Sequence, residues 1–72
     1  ADNILNKERA FLMNKINALQ NDIKLWENNI GFFASSKKAD VLKSEFESKI
    51  EKARTDIAIL EEKLKILYES QS

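Results

Sequence analysis

Apolar residues recur at alternating steps of three and four through Ile16, Leu19, Ile23, Trp26 and Ile30, and the same rhythm returns from Phe46 through Ile50, Ala53, Ile57, Leu60, Leu64 and Leu67. A period of about 3.5 residues lines such side chains along one narrow stripe of an α-helix, the pattern of a coiled-coil seam. A seam is stable only when another seam covers it, and this chain carries two. Between them lies Gly31, the single glycine of a sequence that has no proline. One reversal therefore joins two long helices. The expected fold is all-α, with two long antiparallel helices forming a coiled-coil helical hairpin. The spacing predicts helices at about residues 3–30 and 37–69, with a turn at about 31–36. Gly31 is expected to take the left-handed conformation that ends many helices, and Ser35 or Ser36 to cap the next one.

Heptad letters sharpen this picture. With Arg9, Ile16 and Ile23 at a, the first helix has Leu5, Leu12, Leu19 and Trp26 at d; the second has Ile50, Ile57 and Leu64 at a, and Phe46, Ala53, Leu60 and Leu67 at d. An antiparallel fold-back makes the numbers of facing residues add to a near-constant. The expected layers are Trp26 with Phe46, Ile23 with Ile50, Leu19 with Ala53, Ile16 with Ile57, Leu12 with Leu60, Arg9 with Leu64 and Leu5 with Leu67. At the flanking g positions this register sets Glu8 against Lys63, Lys15 against Asp56 and Asp22 against Lys49, all complementary. Exposed pairs of this kind are worth about 0.2–1 kcal/mol each, so they would choose direction and register more than hold the fold. On the e flank Glu27 would meet Glu47, an unfavourable pairing.

Composition closes off several function classes. A chain of 72 residues supports one small domain without a large enclosed core, so no small-molecule cavity is expected. Its 12 basic and 12 acidic side chains cancel, leaving no overall field to favour nucleic acid or anionic lipid. Cysteine and histidine are both absent, which removes thiolate nucleophiles, disulfides, the usual zinc ligands and the commonest general base at neutral pH. Serine without histidine offers no triad, and there is no glycine-rich phosphate loop. The sequence therefore predicts no catalytic residue, no cofactor and no metal. No apolar stretch approaches the roughly 18 residues that a membrane span needs, so the expected location is the cytoplasm.

Two features are left over once the seam is assigned. The first is a second apolar stripe at position c, made of Ile4, Phe11, Ala18 and Leu25 on the first helix and Ile59 and Ile66 on the second. A two-stranded hairpin does not need it, so Ile4, Phe11, Leu25, Ile59 and Ile66 form the candidate protein interface. The expected partner is a second hairpin, in a dimer with four helices, or the remainder of a longer parent protein. The second feature is the tip, where Phe32 and Phe33 are followed by Lys37 and Lys38. Aromatic rings beside lysines can grip RNA by stacking and phosphate contact. They can equally plug the end of the coiled coil, Phe33 folding over Ala39 and Leu42 while Phe32 covers Ile30, and the plug is the preferred reading. Arg9, the one charged a residue of the first helix, is expected to reach out toward Glu8 or Glu61.

The run from Trp26 to Asp40, Trp-Glu-Asn-Asn-Ile-Gly-Phe-Phe-Ala-Ser-Ser-Lys-Lys-Ala-Asp, followed by Lys-Ile-Glu-Lys-Ala at 49–53, resembles the C-terminal helical hairpin of bacterial DUF349-type proteins. The resemblance covers about the last 45 residues. It implies a piece of a long, helical, cytoplasmic protein built from repeated domains of unknown function, and it brings no catalytic residue with it. The function expected is thus a non-catalytic structural or protein-protein interaction module, mediating self-association or docking. The alternative is a helical arm that contacts RNA through its Phe/Lys tip.

Overall fold

The computed structural model describes residues 2–70, Asp2 by its backbone alone. Two helices account for nearly all of them: α1, Asp2–Phe32, and α2, Ala39–Glu69. Each has 31 residues, about 46 Å of helix at about 1.5 Å per residue, and they pack against each other as a helical hairpin 56 Å long and 15 by 12 Å across.

The stripe that the heptads pick out is the stripe the fold covers. Leu12, Ile16, Ile23, Ile50, Ala53 and Ile57 are buried, and Leu5, Arg9, Leu19, Trp26, Ile30, Phe46, Leu60, Leu64 and Leu67 are half-buried. Ile16, Ile23, Ile50, Ala53 and Ile57 form one cluster, with Leu19, Trp26, Ile30, Leu60 and Leu64 packed around it. Ala53 is the most deeply covered side chain, at 2% exposure, because a methyl group lets the opposite helix come close. No polar or charged side chain is buried among the described residues, so the core rests on apolar contact alone.

The reversal differs from the expected one. α1 runs through Gly31 to Phe32, and no residue in the described chain has a positive φ. Helical hydrogen bonding simply continues: the Phe33 N–H donates to the Asn29 carbonyl at 3.0 Å and the Ala34 N–H to the Gly31 carbonyl at 3.3 Å. Two further tight turns, Ser36 N–H to Phe33 O at 3.0 Å and Ala39 N–H to Ser36 O at 3.1 Å, carry the chain around. These bonds take up several of the amides and carbonyls at the helix ends without a left-handed glycine. Neither Ser35 nor Ser36 caps α2: the N-cap is Lys38, which makes no side-chain cap bond, and Ser36 Oγ instead accepts from the Lys38 N–H at 3.2 Å, one step before the helix.

The register is also displaced. Phe46 was expected to face Trp26, yet the ring stacked on it is that of Phe33, with centroids 6.5 Å apart and planes 10° from parallel. At the other end the Arg9 guanidinium lies 5.2 Å from the centroid of the Tyr68 ring. Both contacts sit a helical turn or more further along α2 than the constant-sum layers place them. The cause is the longer α1: Phe33 takes the face of Phe46 and becomes an additional layer at the turn.

Candidate functional site

The apolar c stripe stays uncovered. Ile4 is 74% exposed, Phe11 52%, Leu25 56%, Ile59 50% and Ile66 53%. Ala18 and Ile59 line the same groove, a trough of about 420 Å³ whose other walls are Leu19 and Leu60 of the seam and Lys15 and Asp56 of the g flanks. One face of the hairpin thus carries the c residues of both helices. Phe11 and Ile66 each lie seven residues from this pair toward the chain ends, two helical turns, and so stand level with each other. Leu25 and Lys52 are the corresponding pair toward the turn. Phe11 and Ile66 are therefore brought together toward the open end of the hairpin, with Ile4 beyond them, whereas Ile59 lies level with Ala18 near the middle of the rod and Leu25 is set apart toward the turn. The same face continues toward the turn as a shallower groove lined by Leu19, Trp26, Lys49, Lys52, Ala53 and Asp56.

The displaced register reshapes the charges on this face. None of the pairs Glu8–Lys63, Lys15–Asp56 and Asp22–Lys49 closes as an ion pair. Two ion pairs form instead between other charges within α2, Lys43–Glu47 at 3.9 Å and Lys65–Glu69 at 4.0 Å, four residues apart on an exposed surface. Once Ala18 stands level with Ile59, Lys15 falls level with Lys63, and Asp22 with Asp56. Lysines turn to rings instead: Lys15 Nζ lies 4.7 Å from the Phe11 centroid and Lys49 Nζ 5.8 Å from that of Phe46. A cation over a ring face is worth about 0.5–1 kcal/mol at an exposed site, as much as the exposed ion pair it replaces.

The chain matches no family model, no curated protein and no solved structure. Its function has to be read from its own surface.

At the tip the two phenylalanines divide. Phe33 is half-buried against Phe46, whereas Phe32, expected to cover Ile30, is 78% exposed and meets Phe33 edge-on at 5.0 Å and 87°. Lys37 and Lys38 are exposed too. Sequence reasoning missed Tyr68, which is exposed itself yet forms the platform for Arg9. The signal available was a lone arginine in a seam whose partner helix ends in an aromatic residue at the neighbouring e position. Met13 and Val41 are further exposed apolar residues outside the stripe, 41% and 57%.

Among the described residues no group of three His, Cys, Asp or Glu side chains is placed to hold a metal ion, and no buried side-chain nitrogen or oxygen lacks a hydrogen-bond partner. No helix there is long and apolar enough to cross a membrane.

Proposed function

We propose that this chain is a non-catalytic interaction module, an antiparallel coiled-coil hairpin of the cytoplasm that self-associates through the face bearing Phe11, Ala18, Ile59 and Ile66. The exposed c stripe carries this reading. Its residues repeat at heptad spacing on both helices, and two of them, Ala18 and Ile59, line an open groove floored by the seam itself. Surface area supports it: the chain exposes 5638 Å², against about 4,600 Å² for a compact monomer of this mass. The difference of roughly 1,000 Å² is of the size that one partner contributes to a standard interface, about 800 Å². In this reading the elongated shape is that of half a four-helix assembly. The resemblance to the terminal hairpin of DUF349-type proteins makes other helices of a parent protein the rival occupant of the same face.

Thermal unfolding across protein concentration tests the proposal. A dimer that forms only from folded chains melts at a temperature that rises with concentration. Replacing Phe11 and Ile66 together by serine should leave a helical hairpin whose melting no longer depends on concentration. A native chain with a concentration-independent melt would refute self-association.

A nucleic-acid-contacting tip is the second reading, favoured by the exposure of Phe32, Lys37 and Lys38. One ring and one turn of lysines on a neutral chain make a small footprint. Salt-dependent binding of single-stranded RNA, lost on replacing Lys37 and Lys38 by alanine, would establish it.

A further inference from the structure

We propose that the occupant of this face is a second copy of the chain, packed with α1 against α1 about a two-fold axis at Phe11, so that Glu8 of each copy pairs with Lys15 of the other. The inference rests on the self-association reading and specifies its geometry.

Beside the groove, the outer flank of α1 carries its own heptad seam, Ile4, Glu8, Phe11, Lys15 and Ala18, at steps of four, three, four and three. Read outward from Phe11 in either direction, this stripe has a charge and then an apolar residue, and the two charges are opposite. A two-fold axis across it lays the stripe antiparallel on itself, which sets Phe11 on Phe11, the large Ile4 on the small Ala18 and each Glu8 on a Lys15. Run parallel, the same stripe would set Glu8 on Glu8 and Lys15 on Lys15. Laid on α2 of the second copy with both turns at one end, it would meet Lys63 with Lys15 and Asp56 with Asp22, like against like. Of these three arrangements, the antiparallel α1 pairing is the one complementary in both size and charge.

Three observations on the hairpin fit this arrangement. Glu8 and Lys15 are exposed and make no ion pair within their own chain, so both charges are available to a partner. Lys15 Nζ already lies over the ring of Phe11, the residue on the axis. Ile66, level with Phe11, brings α2 of each copy onto the same axis and is 53% exposed for the purpose.

Charge reversal on the full chain tests the axis by light scattering or sedimentation, with circular dichroism confirming helicity. Glu8→Lys and Lys15→Glu should each weaken the dimer about tenfold or more, since symmetry converts two attractive pairs into two repulsive ones. The double variant Glu8→Lys/Lys15→Glu should associate to within about threefold of the native chain. Should either reversal reduce helicity, Glu8→Gln and Lys15→Gln take its place, each expected to weaken association about threefold. A native dimer that is indifferent to single reversals, or not restored by the double one, overturns the two-fold at Phe11 and leaves self-association standing. A native chain that stays a helical monomer at about 1 mM overturns both.

Discussion

Gly31 and the two phenylalanines after it show how much turns on single side chains. Gly31 is helical, has no positive φ, and a β-carbon added there would meet nothing within 4 Å. Gly31→Ala should therefore stabilise the chain by about 0.4–1 kcal/mol, because alanine costs less backbone entropy in a helix and nothing obstructs it. A loss of stability in chemical denaturation would mean that the glycine is needed in a left-handed conformation after all. Phe33 and Phe32 differ in the same measurable way. Phe33→Ala removes the ring stacked on Phe46 and should cost about 1–3 kcal/mol, whereas Phe32→Ala, at 78% exposure, should change stability by no more than about 0.5 kcal/mol. For a domain of this size the first change lowers the melting temperature by about 4–8 °C per kcal/mol, which calorimetry at one fixed concentration resolves. Equal effects at the two positions would contradict the division of the tip into a packed ring and an exposed one.

The helices were legible in the sequence because heptad spacing is a direct statement about which stripe is covered, and every seam residue from Leu5 to Leu67 is withdrawn from full exposure. Their ends and register were not. Gly31 is compatible with both a left-handed stop and a helical step, and the choice falls to Phe33, whose ring gains more against Phe46 than it would in solvent. Sliding α2 by a turn keeps apolar residues facing apolar residues, since the seam nearly repeats at that spacing. The slide disturbs only the flanking charges, which are too weak to prevent it. Two consequences are measurable. Removing the interior of a seam residue, as in Ile16→Ala, should cost about 2–5 kcal/mol in denaturant unfolding, since Ile16 is 5% exposed within the central cluster. Raising the salt to about 1 M should alter the stability of the hairpin by less than about 0.5 kcal/mol, because the g-flank pairs do not close. A large loss in salt would indicate that those pairs form and hold the register.

For the whole molecule the candidate site was visible in outline: Ile4, Phe11, Leu25, Ile59 and Ile66 are apolar at positions the seam does not use, and all remain exposed. Their grouping was less visible, because the level of Phe11 with Ile66 and the isolation of Leu25 beside Lys52 depend on the register. The platform under Arg9 was invisible for the same reason, Tyr68 being placed there by the displaced α2. What the molecule presents is a slender rod, closed along one seam and open along another, whose open side has heptad spacing and an apolar end. The central claim is that this second seam is made for another chain. Sedimentation equilibrium of the intact protein over a range from about 1 to 500 μM tests it most directly. The account predicts a reversible shift from the monomer mass of 8.3 kDa to twice that value, with helicity retained throughout. A fully helical species that keeps the monomer mass across the whole range would contradict it.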